Sequence, residues 1–238
     1  MKLSIIIPVY NEEKTIEEII GRVNTIDLGG VKKEIVVVND GSTDKTSVKL
    51  EDLKKKIKDM MVVFCPENQG KGSAVRVGLS KASGDYVLIQ DADLEYDPKY
   101  IKKLLGPIIE KKTQVVYGTR LKRLPNIRKE ERRLQFLLHY FGNRFLSFIT
   151  SILYGSWITD METCYKLFPR EEGKNLHLTS RGFEFEPEIT AKFLKRGYKI
   201  VEIPISTSPR GYEEGKKLNT ISDGIMSIWT LIKYRLIN

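Results

Sequence analysis

The stretch Glu34–Asp44 reads EIVVVNDGSTD and passes from four consecutive β-branched residues into a polar turn that contains glycine. The run Ile35–Val38 does not alternate apolar with polar positions, and this is typical of a strand buried on both faces. The run Ile5–Ile7 has the same pattern. Because strands covered on both faces belong mainly to parallel sheets, these runs predict an α/β fold.

Similar runs recur along the first 120 residues. The five apolar runs are Leu3–Val9, Glu34–Val38, Met61–Cys65, Tyr86–Gln90 and Val115–Gly118. Amphipathic segments near 13–24, 44–58, 70–82 and 98–111 separate them. This alternation predicts a mainly parallel sheet with helices on both sides. Ligands of such sheets bind outside the carboxyl ends of the strands, so we expect the functional site there.

The second half of the chain has a different pattern. Its segments are a basic stretch 122–133, a long apolar helix 134–154, a segment 160–166, a helix near 184–196, a strand 198–203 and a polar loop 206–217. A terminal helix follows, in which Ile221, Ile225, Ile228 and Ile232 share one face. We therefore predict one domain over residues 1–217. The C-terminal amphipathic helix over 218–238 either belongs to that domain or forms a membrane-proximal extension.

Composition restricts the partners. The formal net charge is +9, which favours anionic partners such as phosphorylated substrates and acidic lipid headgroups, although a solvated lysine surface gives the same composition. No nucleic-acid-binding motif is present, so we expect no nucleic-acid partner. Cys65 and Cys164 fit no metal-ligand spacing and are expected to be reduced thiols in a cytoplasm. The uncharged stretch Phe145–Thr159 is shorter than the ~20 residues of a membrane-spanning helix.

The fourth apolar run ends in a cluster of acids. Asp91, Asp93, Glu95 and Asp97 lie within seven positions. Carboxylates this close raise one another's pKa unless they point into water or share a cation. Mg²⁺ and Mn²⁺ prefer oxygen ligands and commonly take one or two carboxylates together with phosphate oxygens. The cluster is therefore either a solvated turn or a site for a metal that holds a diphosphate.

Polar clusters also follow the first and second runs, at Pro8–Glu12 and Asn39–Asp44. Parallel strands bring such clusters to one edge of the sheet, so we expect them to lie near Asp91 and Asp93.

These clusters belong to a set of six motifs. They are PVYNE at 8–12, VNDGSTD at 38–44, NQGKG at 68–72, DAD at 91–93, GTR at 118–120 and DMETCYK at 160–166. In this order and spacing the chain resembles family 2 inverting glycosyltransferases, in the dolichyl-phosphate mannose synthase-like branch. The resemblance covers nearly the whole length. It implies a GT-A fold, a Rossmann-like three-layer sandwich with a mainly parallel central sheet.

The resemblance also implies roles for individual residues. The donor nucleotide sugar would be bound by Pro8, Tyr10, Asn11, Glu12, Asp40, Gly41, Lys71, Asp91, Ala92, Asp93, Arg210, Lys216 and Lys217. Asp91, Asp93 and Glu95 would bind Mg²⁺ or Mn²⁺, with Glu95 standing where the family often has Gln. The acceptor phosphate would contact Arg120, Arg133 and Asn143. The residues expected to act in catalysis are Asp93, Arg120, Asp160 and Lys217.

Several assignments stay open. The loop 210–217 departs from the family pattern, so either Lys216 or Lys217 would contact the diphosphate. Gly70 and Gly72 fit a turn beside the nucleotide, or simply a strand-to-helix loop. The acids of the segment 184–188 fit an acceptor site, or a helix start enriched in Glu.

The function predicted from these residues is transfer of a hexose from a nucleotide-diphosphate sugar, GDP-mannose or UDP-glucose, to a polyprenyl phosphate. The first alternative within the family is transfer to a sugar hydroxyl, with Asp160 as the base. A nucleotidyltransferase would carry a glycine-rich basic loop in place of Pro8–Glu12. A non-catalytic binding module is disfavoured because donor, metal and acceptor positions are all filled. A dehydrogenase is excluded because no GxGxxG follows the first run.

The predicted lipid acceptor requires access to a membrane. The helix 134–154 is rich in aromatic residues, and the terminal helix carries Trp229 and Tyr234 beside Lys233 and Arg235. With a net charge of +9, this predicts a peripheral protein at the cytoplasmic face, bound to an anionic membrane surface or to a membrane-embedded partner.

Overall fold

A computed structural model describes residues 1–121, 134–208 and 220–237. The strands of this part are β1 (Lys2–Val9), β2 (Lys32–Asp40), β3 (Met60–Cys65), β4 (Tyr86–Ile89), β5 (Val115–Thr119), β6 (Lys166–Pro169) and β7 (Ile200–Pro204). The helices are α1 (Ile16–Thr25), α2 (Thr46–Lys56), α3 (Lys71–Lys81), α4 (Ile101–Ile109), α5 (Leu134–Tyr154), α6 (Arg170–Asn175), α7 (Phe185–Lys195) and α8 (Thr220–Leu236). A 3₁₀ turn, Pro98–Tyr100, precedes α4.

The strands form one sheet in the order β3-β2-β1-β4-β6-β5-β7. β1 pairs in parallel with both β2 and β4, so that Ile5 lies opposite Ile35 on one side and Leu88 on the other. Every residue from Leu3 to Val9 is buried, as are Ile35–Val38, so both faces of these strands are covered. The predicted α/β fold with a mainly parallel sheet is confirmed.

β6 was not predicted. It runs antiparallel to both of its neighbours, β4 and β5. A strand of only four residues carries too little periodicity to stand out in a sequence, and its antiparallel direction breaks the strand–helix alternation. Because β6 is reversed, its first residue, Lys166, lies at the edge of the sheet where β4 and β5 end.

The strand order reverses between β1 and β4, since β2 and β3 lie on one side of β1 and the later strands on the other. In open α/β sheets, ligands bind in the crevice outside the carboxyl ends of the strands at such a reversal. The loops after β1 and β4 border this crevice.

The terminal helix α8 packs against α5 and α7. Leu231 is fully buried, and the Tyr154 hydroxyl of α5 donates a hydrogen bond to its carbonyl oxygen at 2.8 Å. The division into 1–217 and 218–238 stays a prediction. Among the described helices, none combines the length and apolarity needed to cross a membrane.

Candidate active site

The loops after β1 and β2 lie side by side. The Asn11 backbone N–H donates to Ser42 Oγ at 2.9 Å, and Asn11 Oδ1 accepts from the Thr43 backbone N–H at 2.8 Å. The Glu12 N–H donates to Thr46 Oγ1 at 2.9 Å. Asn11 has a φ of 51°, a left-handed conformation that asparagine tolerates better than most residues. The structure thus brings Asn11 and Glu12 next to the turn that follows Asp40, with Pro8 buried in β1 and Tyr10 half-buried beyond it.

Asp40 connects this pair of loops to the loop after β3. Its buried carboxylate accepts hydrogen bonds from the backbone N–H groups of Gln69 at 3.1 Å and Gly70 at 2.8 Å. The next residue, Gly41, has a φ of 69°, and a Cβ there would lie 2.4 Å from the carbonyl carbon of Glu67. Asp40 therefore orders the turn that leads into Lys71, in addition to any contact with a nucleoside.

Close packing requires glycine at positions 70 and 72. A Cβ on Gly70 would lie 2.5 Å from the Arg181 carbonyl oxygen, and one on Gly72 would lie 2.6 Å from that of Ser180. The Ser73 N–H donates to the Arg181 carbonyl oxygen at 3.1 Å. These glycines let the segment before α7 pack directly on the start of α3.

Lys71, at the start of α3, connects the loop after β3 with the DAD motif and with α7. Its Nζ lies 2.8 Å from Asp91 Oδ1 and 3.1 Å from Glu186 Oε1. Burial alone would lower the pKa of Lys71, but the Asp91 carboxylate, together with Cys164 and Glu186, raises it well above its ordinary value. A permanent cation therefore lies against the first acid of the DAD motif.

The rest of that motif forms a tight turn. Asp93 Oδ1 accepts from the Glu95 N–H at 3.0 Å, Leu94 has a φ of 65°, and Ala92 is buried. In the described part of the chain, no three His, Cys, Asp or Glu side chains form a metal-binding group. Two carboxylates suit a divalent cation whose other ligands are phosphate oxygens and water. Asp91 and Asp93 fit such a cation, and Glu95 as a third ligand stays a prediction.

The chain after β7 passes this turn. Thr207 forms an isolated antiparallel bridge with Tyr96, and the Ser208 N–H donates to the Glu95 carbonyl oxygen at 3.0 Å. The predicted site residues Arg133, Arg210, Lys216 and Lys217 lie outside the described residues.

The half-buried Arg120 and the buried Asp160 form an ion pair on the other side of the crevice. Arg120 Nε donates to Asp160 Oδ2 at 2.8 Å and its Nη2 to Oδ1 at 2.7 Å, while the Arg120 backbone N–H also reaches Oδ2 at 2.8 Å. Asp160 is 0% exposed. Burial by itself would lower the pKa of Arg120, but Asp160 raises it well above its ordinary value. Both predicted residues are therefore at the site, bound to each other.

Glu202 on β7 fixes the backbone of this pair. Its Oε1 accepts from the N–H groups of Thr159 at 3.0 Å and Asp160 at 2.9 Å. Burial raises the pKa of Glu202. Sequence analysis missed this residue, because an acid in a short edge strand looks like a solvent-facing position.

Asn143 lies on α5, one helical turn before Ser147, whose Oγ accepts from the Met161 N–H at 2.9 Å. This places Asn143 on the part of α5 that approaches the residue next to Asp160. The adjacent Arg144 donates to the Leu121 carbonyl oxygen at 2.7 Å. Arg144 and Ser147 therefore connect α5 to the residues next to Arg120 and Asp160, respectively.

The three acids at the start of α7 have three different contacts. Glu184 accepts from the N–H groups of Arg181 and Gly182, both at 3.0 Å. Glu188 accepts from the N–H groups of Thr179 and Ser180 and pairs with Lys192. Glu186 is buried and pairs with Lys71 and Lys166.

Glu162 is a second acid beside the Arg120–Asp160 pair. Burial raises its pKa to about 7, with Glu186 adding to the rise and Lys166, Ser227 and Arg120 opposing it. Its Oε1 is buried and makes no hydrogen bond within the described residues. Sequence analysis gave Glu162 no role of its own.

An open α/β sheet with an acid pair at the end of β4 and a polar crevice at the strand reversal is the architecture of a nucleotide-sugar transferase of the GT-A type. Residues 4–172 match the model of the family described as "Glycosyl transferase family 2". The chain belongs to this family of glycosyltransferases.

Curated relatives cover nearly all of the chain. A protein of Pyrococcus furiosus named "Dolichol-phosphate mannosyltransferase" is 32% identical over 98% of this chain. The "Low-salt glycan biosynthesis hexosyltransferase Agl6" of Haloferax volcanii is 27% identical over 99% of it. The chain spans 64% of the Pyrococcus protein and 53% of Agl6. The chain is therefore similar to proteins of the dolichyl-phosphate mannose synthase-like branch.

Among solved structures, glucosyl-3-phosphoglycerate synthase of Mycobacterium tuberculosis has the same fold. The form in complex with Mn²⁺, UDP and phosphoglyceric acid has a TM-score of 0.72 at 23% identity and covers 100% of this chain and 79% of that one. The form with Mg²⁺ and UDP has a TM-score of 0.71, also at 23% identity, over 100% of this chain and 80% of that one. At this identity the likeness establishes the GT-A fold.

Proposed function

We propose that this glycosyltransferase moves a hexose from a nucleotide-diphosphate sugar to a polyprenyl phosphate, with inversion at the anomeric carbon. GDP-mannose and UDP-glucose are the leading donors. The name of the Pyrococcus relative supports a lipid-phosphate acceptor, and the UDP complexes of the synthase support a nucleotide donor.

The donor side of the proposal is supported by the joined loops around the crevice. Asn11, Glu12 and Asp40 lie on loops connected by side-chain hydrogen bonds, which is a suitable frame for a nucleoside. Asp91 and Asp93 follow at the end of β4, where a Mg²⁺ or Mn²⁺ ion bound to the diphosphate would fit. Such a cation would offset the charge that develops on the leaving diphosphate.

The choice of acceptor rests on one observation, the hydrogen bonds that Asp160 accepts from Arg120. Both of its oxygens accept hydrogen bonds from Arg120, and the carboxylate is fully buried. A base that deprotonates a hydroxyl needs a free lone pair within reach of the substrate, and here it would first have to leave the guanidinium. A phosphate acceptor is already ionised near pH 7 and needs no base. The Arg120–Asp160 ion pair therefore favours a phosphate as the acceptor.

In this mechanism Arg120 is a fixed cation that orients the acceptor. The two bonds to Asp160 use two of the five N–H donors of its guanidinium. Arginine binds phosphate strongly because its planar group presents several donors at once. Holding the phosphate oxygen in line with the anomeric carbon replaces a random encounter by an oriented attack.

A sugar hydroxyl remains the second candidate acceptor, and Glu162 is the residue that favours it. A carboxyl group with a pKa of about 7 is well matched to accept a proton at neutral pH. In this version Glu162 replaces Asp160 as the base.

An activity panel distinguishes these candidates. Purified protein is incubated with GDP-mannose or UDP-glucose, with Mg²⁺ or Mn²⁺, and with a short polyprenyl phosphate, the matching polyprenol or a sugar glycoside that offers only hydroxyls. Products are read by mass spectrometry. We expect a product with the phosphate and none with the polyprenol. Transfer to a hydroxyl that is lost in Glu162→Gln would favour the second candidate, and full activity after thorough chelation would contradict the metal site.

We propose in addition that α5 and α8 seat the protein on an anionic membrane. Large apolar side chains, each about half exposed or more, form a stripe on each helix: Leu138, Phe141, Phe145, Phe148 and Ile152 on α5, and Ile225, Trp229 and Leu236 on α8. Residues 134–154 contain no acid, and the described part of α8 contains one, Asp223. Arg144, Lys233 and Arg235 are exposed. Apolar residues with adjacent cations match an anionic bilayer surface.

Co-sedimentation with vesicles tests the membrane proposal. We expect binding to vesicles rich in phosphatidylserine that falls as salt rises, because exposed charges are screened. Trp229→Ser should weaken it, whereas Val48→Ser, an equally exposed apolar residue of α2, should not. Binding that appears only with a membrane protein present would indicate a membrane-embedded partner, and no binding under any of these conditions would rule the proposal out.

A further inference from the structure

A row of alternating charges runs beneath the crevice, from the DAD motif to the first residue of β6. Its members are Asp91, Lys71, Glu186 and Lys166. Lys166 is 0% exposed, and its ammonium donates to Glu186 Oε2, to the Met161 carbonyl oxygen at 2.9 Å and to the Thr163 carbonyl oxygen. Burying a lysine this deeply costs stability unless the ion pair is well formed, and here the ammonium has three acceptors.

The two oxygens of Glu186 are not equivalent. Oε2 is hydrogen-bonded to Lys166. Oε1 lies 3.1 Å from Lys71 Nζ but, within the described part of the chain, takes part in no hydrogen bond. Lys71 instead directs its shorter contact, 2.8 Å, to Asp91 Oδ1. Lys71 is thus shared between two carboxylates, and it favours Asp91.

Lys166 accounts for this preference. The charge of Glu186 is largely balanced from below by Lys166, so its attraction for Lys71 is reduced. Lys71 then stays on Asp91, where it competes with any cation that needs the same oxygen. If Lys166 lost its charge, Glu186 would draw Lys71 away and leave Asp91 more available.

We propose that Lys166 is a positioning residue that acts through Glu186 and Lys71 to set how tightly the Asp91–Asp93 site binds its divalent cation. The inference rests on the proposed function, in which that site holds Mg²⁺ or Mn²⁺. Groups that contact metal ligands commonly change metal affinity by about tenfold to a hundredfold when they are altered.

The test measures the Mn²⁺ dissociation constant by electron paramagnetic resonance of free Mn²⁺, with GDP or UDP at saturation. Lys166→Met removes the charge and keeps the length of the side chain. We expect it to tighten Mn²⁺ binding, by up to about tenfold, although it removes a buried ion pair. Glu186→Gln, which leaves Lys71 entirely to Asp91, should weaken Mn²⁺ binding. A merely structural role would make both variants bind more weakly.

The double variant Lys166→Met/Glu186→Gln completes a double-mutant cycle for Mn²⁺ affinity. Since Lys166 acts only through the charge of Glu186, the double variant should bind Mn²⁺ as Glu186→Gln alone does. Weaker or unchanged binding in Lys166→Met overturns the inference. If that variant does not fold, Glu186→Gln still decides, because tighter or unchanged Mn²⁺ binding there contradicts the argument. Absence of Mn²⁺ binding in the unaltered protein would instead overturn the metal site of the proposed function.

Discussion

The two sides of the crevice are built by different interactions. On the side of β1–β3, loops are joined mainly by hydrogen bonds between short polar side chains and backbone N–H groups, as between Asn11 and Thr43. On the side of β5–β7, they are joined by ion pairs in which one or both members are buried, such as Arg120–Asp160 and Lys166–Glu186. Breaking a buried pair leaves a charge without a partner, which costs far more than losing one neutral hydrogen bond. We therefore expect the donor side to tolerate substitution better than the acceptor side, except at the acids of the DAD motif.

The largest expected loss of activity is for substitution of the acids of the DAD motif. Asp93→Ala, and nearly as strongly Asp91→Ala, should reduce transfer by at least about a hundredfold, since outer partners of metal ligands alone reach that range. The melting temperature should change little. Asp52→Ala removes an exposed acid of α2 and is the matched control. Near-normal turnover by Asp93→Ala at saturating Mn²⁺ would contradict the assignment.

Arg120 tests the acceptor side. Arg120→Ala should lower kcat/KM for the polyprenyl phosphate by about tenfold to a hundredfold, the worth of a hydrogen bond to a charged group, and leave nucleotide affinity nearly unchanged. It should also destabilise the fold by about 3–5 kcal/mol, because Asp160 is left buried without its partner. Adding Asp160→Asn should restore much of the stability but not the activity. Equal loss of nucleotide binding, measured by calorimetry, would place Arg120 in the donor site.

The buried Glu188 and the half-buried Glu162 should respond to pH in opposite directions. Lys192 and the groups at Ser180 and Thr179 outweigh the effect of burial and lower the pKa of Glu188 from 4.5 to about 2. Its contribution, about 3 kcal/mol, is present above pH 4.5 and lost as pH falls towards 2. Burial raises the pKa of Glu162 to about 7, so its ionisation favours the unfolded state as pH rises from 4.5 to 7.

Urea titrations over this pH range give the measurement. Glu188→Gln should lower stability at pH 7 and reduce the loss on acidification. Glu162→Gln should raise stability at pH 8 relative to the unaltered protein and match it near pH 4. A shift of the same sign in both variants at pH 8 would show that the two environments do not differ as described.

The smallest expected effects concern two glycines. Gly21 lies in α1, and a Cβ added there would have no atom within 4 Å, so Gly21→Ala should stabilise the fold by up to about 1 kcal/mol through helix propensity. Gly72→Ala would place a Cβ 2.6 Å from the Ser180 carbonyl oxygen and should cost about 1–3 kcal/mol. Thermal melting compares the two, and equal shifts would show that the contact between α3 and Ser180 is loose.

The difference between the two sides also explains what could be predicted. The positions of Asp40 and Asp91 at one edge followed from buried apolar runs and the rule for strand ends, whereas Arg120 was assigned from the family resemblance. Two ion pairs could not be predicted, that of Arg120 with Asp160 and that of Lys71 with Glu186. A sequence does not show which distant charges meet in the interior. β6 was missed because a strand of four residues carries too little periodicity and its antiparallel direction breaks the strand–helix alternation.

The reversed direction of β6 has a consequence for redesign of the protein. In a parallel strand, the residues that follow it reach the crevice, but for β6 it is the residues that precede it, Asp160–Tyr165, that do so. Changes of loop length between α5 and β6 would therefore affect the proposed acceptor site, whereas changes around α6, at the opposite edge, would not. A loop exchange that aims at a new acceptor belongs in the former segment, and a purification tag or fusion is better placed in the latter.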